Sequence, residues 1–143
     1  MSDPAERHPV LEANQAFYKA FAQRDLATME NIWARRTAIA CIHPGWPPIF
    51  GRDAVIASWR GILANPAQGA IMCSDERTMI NGNTAVVICT ESIAGSLLVA
   101  TNVFVHEDNA WRLVHHQGGP MPAQGERGAK NPTPANGDKR TLH

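Results

Sequence analysis

Apolar positions in the first half of the chain recur at helical spacing, and in the second half they gather into strand-length runs. Val10, Ala13, Phe17, Ala20 and Phe21 outline a first helix ending near Gln23. Pro9 suits its first position, where a missing N–H costs nothing. Asp25 reads as the N-cap of a second helix, whose buried side is Leu26, Met29, Ile32 and Trp33. Thr37 to His43 alternates as a strand, and Pro44-Gly45 with Pro47-Pro48 stops it. Gly51 opens a third helix with Val55, Trp59, Ile62 and Leu63 on one face, ended by Asn65-Pro66.

Four strands follow, over Ala70 to Ile80, Thr84 to Ala94, Leu97 to His106 and Trp111 to Gln117. Asn81-Gly82-Asn83 supplies the turn residues of a tight hairpin, so the strands form an antiparallel meander. In the third of them Leu97, Val99, Val103 and Val105 face one way and Leu98, Ala100 and Phe104 the other. Both faces therefore want cover. The helices can supply one, and the other predicts a homodimer through the open face of the sheet. The fold class is α+β, a cone-shaped curved antiparallel sheet wrapped around N-terminal helices. Residues 1–8 are expected to be a flexible N-terminus, 9–120 the single domain, and 121–143 a disordered C-terminal tail without periodic apolar positions.

Charge narrows the function classes. Thirteen Lys and Arg balance thirteen Asp and Glu, so no net field draws nucleic acid or an anionic membrane. No apolar run approaches the roughly 20 residues of a membrane span, and the polar N-terminus is unlike a signal peptide. The expectation is a cytoplasmic protein with a small-molecule partner. Cys41, Cys73 and Cys89 are odd in number, without CxxC spacing, and read as buried thiols. No HxH or HxxxH pair stands near a carboxylate and no nucleotide-binding glycine loop occurs, so neither a metal nor a cofactor is expected.

A cone half-covered by helices leaves an apolar cavity in which a few polar groups orient a ligand. His43, held extended by Pro44, is either a general base or a structural ring. Trp46 is a lid or a plug, and Trp59 packs the core or turns its indole N–H into the cavity. Tyr18 is a surface phenol or a hydrogen-bond donor to a ligand, and Asn102 can both donate and accept. Adjacent strand residues face opposite ways, so only one of His115 and His116 enters the cavity. Parity groups His115 with Trp111 and Leu113, which favours His115, and a bulge would exchange the two. Glu91 faces solvent, or it is paired with Arg112 or a histidine.

The stretches ANQAFYKAFAQRDLATMENIWA and AIACIHPGWPPIFGRDAVIASW, with a meander ending in NAWRLVHHQGGP, resemble the nuclear transport factor 2-like superfamily and its SnoaL-like proteins. That resemblance spans residues 9 to 120. It implies a cone, usually dimeric, with a pocket between helices and sheet. It also implies a function among ligand binders, isomerases, dehydratases, cyclases or interaction modules. Ketosteroid isomerases place a carboxylate near the end of the first strand, where this chain offers only His43. Tyr18 matches their helix-one tyrosine, while Thr101 and Asn102 stand where the second, acidic donor would be. SnoaL-type cyclases carry an acid toward the last strand, where this chain has histidines and Gln117. The expected activity is small-molecule binding in a pocket lined by Tyr18, His43, Trp46, Trp59, Asn102 and His115. The alternative is a cofactor-independent isomerase or lyase, with His43 or His115 as general base and Tyr18 or Asn102 stabilising the enolate.

Overall fold

The computed structural model describes residues 4–67 and 69–122, beginning with helix α1, Pro4–Gln23. The helix starts ahead of the expected Pro9, because Pro4 is equally suited to a first position and Glu6 complements the dipole of the first turn. Pro9 consequently sits inside the helix, where it gives up one i→i−4 bond. Asp25 caps α2, Leu26–Ile32, by accepting from the Thr28 amide at 3.1 Å. Trp33 lies just past that helix and is fully buried.

Strand β1 is shorter than expected, Ala40–Ile42, and pairs antiparallel with an unforeseen two-residue β2, Ile49–Phe50. His43 to Pro48 is thus the loop of a hairpin. Gly45 turns it at φ 80°, and the Trp46 amide donates to the His43 carbonyl. Helix α3, Arg52–Ala64, buries Val55, Ile56, Trp59 and Leu63. Then come β3, Ile71–Asn81, β4, Thr84–Ile93, β5, Ser96–Glu107, and β6, Ala110–Pro120.

The sheet order is β2-β1-β6-β5-β4-β3. It is antiparallel apart from β1 alongside β6, so the expected antiparallel sheet is a mixed one. Strand β6 runs on past the expected Gln117 to Pro120, opposite Leu98. On the other side of β6 the pairing with β1 reaches no further than Gln117, so among the described residues the missing Pro120 N–H breaks no ladder. The fold is α+β, with the core between the helices and one face of the sheet, where Ala85, Val87, Ala100, Phe104 and Leu113 meet Phe17 and Trp59. No helix among the described residues is long and apolar enough to cross a membrane. The tail expected from residue 121 lies outside the described residues from 123 onward.

Candidate functional site

The end of α1, one side of α3, the His43–Pro48 loop and the adjoining ends of β4, β5 and β6 enclose a cavity of about 760 Å³. Phe21, Ile62, Ile93 and Leu98 supply apolar wall, Trp46 stands 45% exposed, and His43, Ser58, Glu91 and His116 are the polar groups facing in. No Lys or Arg is among the described lining residues.

His43 leaves β1 directly into the wall. The Ser58 hydroxyl donates to the Val55 carbonyl at 2.7 Å, so its oxygen accepts from His43 Nε2 at 2.9 Å. Trp46 and Trp59 hold the ring edge-on, each centroid 4.8 Å away. Burial pulls the His43 pKa down to about 4, leaving a neutral ring with its bare nitrogen at Nδ1.

His116 enters by a break in register. Val103 pairs with His115 but Phe104 pairs with Leu113, so Val114 is one residue too many for regular alternation. Leu113 and His116 therefore both face the helices. His116 Nδ1 lies 2.6 Å from Asn102 Oδ1. Asn102 Nδ2 donates to Asn14 Oδ1 at 2.8 Å and to the Tyr18 hydroxyl at 3.1 Å. Its oxygen must then accept, so His116 carries its proton on Nδ1 and presents an unprotonated Nε2. That nitrogen is 3.8 Å from Glu91 Oε2, which accepts from the Tyr18 hydroxyl at 2.6 Å.

The two pocket groups titrate in opposite directions. Burial, with the charges of His43 and His115 added, pulls His116 down to about 3. Burial also raises Glu91, against the pull of the Tyr18 hydrogen bond. The Tyr18 phenol itself is pushed up by burial and by Glu91, so it stays a donor. A bare imidazole nitrogen thus stands beside a carboxyl that favours its proton. No group of three or more His, Cys, Asp or Glu able to hold a metal occurs among the described residues.

The SnoaL-like domain matches residues 10–124 of this chain. The chain belongs to the SnoaL-like domain family. A candidate dehydratase of the NTF2-like family from Streptomyces avermitilis superposes with a TM-score of 0.77 at 31% identity, covering 85% of this chain and all of that one. A candidate calcium/calmodulin-dependent protein kinase type II association domain from Thiobacillus denitrificans superposes at 0.69 with 32% identity, over 77% of this chain and 93% of its own. The F-box protein SKIP8 of Arabidopsis thaliana is 28% identical over 120 residues, 82% of this chain. The chain spans about half the length of that curated relative (52%).

In this SnoaL-like domain, His43 and Trp46 line the cavity directly. Tyr18 and Asn102 are buried behind Glu91 and His116, and Trp59 is sealed into the core with Phe17 and Phe21. One expectation is corrected: His115 lies off the cavity, donating from Nδ1 to the Ala40 carbonyl at 3.1 Å, because the Val114 bulge exchanges it with His116. Of the two readings of Glu91, solvent or a partner, it takes the second: it is 1% exposed beside His116, since it continues the inward row Ala85, Val87 and Cys89. Ser58 and Asn14 were missed. Asn14 had a signal: it stands on the helical stripe of Val10, Phe17 and Phe21, where a buried polar side chain needs a partner.

Proposed function

We propose that the cavity binds a neutral, largely apolar small molecule carrying a carbonyl, and that His116 and Glu91 move a proton on it as a cofactor-independent isomerase or lyase does. The observation that carries this reading is the bare His116 Nε2, 3.8 Å from the buried Glu91 carboxyl. A base and an acid must hold opposite protonation states at one pH, and burial pushes these two that way. His116 would take the hydrogen on the carbon next to the carbonyl, leaving the electron pair to form the enol. Glu91 would give its proton to the enol oxygen, or to a departing β-hydroxyl that leaves as water. A proton passed from His116 back to Glu91 would restore both groups. The cavity volume suits a small organic ligand, and the described lining holds no Lys or Arg to pair with an anion. The candidate dehydratase from Streptomyces avermitilis is in keeping with such an elimination.

The test follows a panel of neutral β-hydroxy ketones in deuterated buffer by proton NMR. The protein should accelerate exchange at the α-carbon or loss of water, and His116→Gln should reduce that rate about 100- to 10,000-fold. Equal rates in the wild type and the variant would remove His116 as the base. We also propose a homodimer across the outer sheet face, where Val86, Ile88, Val99 and Val103 lie opposite the helix-covered side. Sedimentation equilibrium at micromolar concentration should return twice the 15.6 kDa chain mass. The mass of one chain would end that proposal.

A further inference from the structure

The hydrogen bonds behind the cavity run on past Asn102 and Asn14 to Glu76 in β3, which the cavity never touches. We propose that Glu76 is a positioning residue that sets the tautomer of His116 through Asn14 and Asn102. The importance of that tautomer rests on the catalytic reading above, but its measurement does not.

A carboxamide turned over by 180° keeps its shape and exchanges donor for acceptor. Two amides in series can therefore be wired in either direction, unless something at one end cannot donate. A carboxylate is such a group. Asn14 Nδ2 donates to Glu76 Oε2 at 2.7 Å, which turns Asn14 Oδ1 toward Asn102 Nδ2, and Asn102 Oδ1 in turn toward His116 Nδ1. Wired the other way, Asn102 would offer its NH₂ to Nδ1, and the imidazole proton would move to Nε2 beside Glu91. The base would then be a donor.

The Tyr18 end of the chain favours the same direction but can reverse as a unit. Tyr18 gives its proton to Glu91 at 2.6 Å and accepts from Asn102 at 3.1 Å, whereas a protonated Glu91 can donate to Tyr18, which then donates to Asn102. Asn14, Asn102 and His116 are buried at 0–1% exposure, away from water that could substitute. Glu76 reaches Asn14 through a second bulge. The pairing of β3 with β4 slips between Ser74 and Arg77, and Asp75 takes φ 54°. Regular alternation from Cys73 would have turned Glu76 outward; the extra residue turns it toward α1, where Gln15 Nε2 also donates to its Oε1 at 3.3 Å.

The experiment reads the two ring nitrogens of His116 by long-range ¹H–¹⁵N NMR on the ligand-free protein near neutral pH, with His116→Gln supplying the assignment. Wild type should hold its proton on Nδ1. Glu76→Gln keeps the shape but can donate, and should shift the tautomer ratio toward Nε2–H by at least about fivefold, the size set by one hydrogen bond. Adding Asn14→Asp to Glu76→Gln moves the acceptor-only group one link inward and should restore the wild-type ratio, which a merely structural role for Glu76 does not predict. Glu76→Ala removes the anchor without adding a donor. It should leave both tautomers populated, and it serves if Glu76→Gln does not fold. A wild-type proton on Nε2, or an unchanged ratio in the Glu76 variants, would overturn the proposal, as would a double variant that fails to restore it. Because no substrate is used, an inactive protein with this tautomer response would count against the catalytic reading alone.

Discussion

Imidazoles whose charged form burial disfavours make folding itself proton-sensitive. His116 falls to about 3 and His43 to about 4 in the folded chain, both from an ordinary 6.5. Between those values and 6.5 the unfolded chain binds more protons than the folded one, so stability is complete above about pH 6.5 and is lost as pH falls. Glu91, raised by burial, acts in the opposite sense: stability is lost as pH climbs above its ordinary value of 4.5. From pH 7 to pH 5 each histidine should cost about 2 kcal/mol, at about 1.4 kcal/mol per pH unit below 6.5. Urea unfolding at the two pH values should therefore give a loss about 2 kcal/mol smaller in His116→Gln than in wild type. Equal losses would mean that His116 is not held neutral by burial. Much at this scale could be read in advance. His43 follows from a strand ended by proline, and the helical stripe exposes Asn14, but whether His115 or His116 faces inward turns on a bulge that leaves no mark in residue type.

The bulges decide what the elements present. One extra residue at Val114 delivers His116 to the cavity, and one near Asp75 delivers Glu76 to α1. Neither was legible, because neither strand carries a glycine there and the slip is settled by packing against the helices. The helices were more legible, since their apolar spacing and the Asp25 cap are local. Helix α2 also depends on a contact that is remote in sequence. It ends at Trp33 without a glycine, and the Arg52 guanidinium takes up the loose carbonyls, Nη1 donating to Trp33 at 2.9 Å and Nη2 to Glu30 at 2.7 Å. A lysine ammonium cannot span both in that fork. Arg52→Lys should lower the free energy of urea unfolding by about 1–2 kcal/mol, with α2 amides exchanging sooner than those of β5. Unchanged stability and exchange would show that water caps α2 equally well.

At the scale of the whole molecule, helices followed by a meander were enough to forecast an α+β cone. The parallel pairing of β1 with β6 was not, because a three-residue strand carries too little pattern to name its neighbour. The outer sheet face ties the assembly to single side chains. Val99 is 41% exposed on the described chain, and Val99→Glu should turn the proposed dimer into a monomer in sedimentation, since a carboxylate there would lose its water on pairing. The described lining of the cavity, without lysine or arginine, also bears on how the proposed ligand would arrive. With no local cation to steer the approach, association should proceed at an unsteered rate, indifferent to salt. Phosphorylated or carboxylated compounds would shed their hydration on entry and gain no counter-charge from the described lining, so selection against them requires no gate.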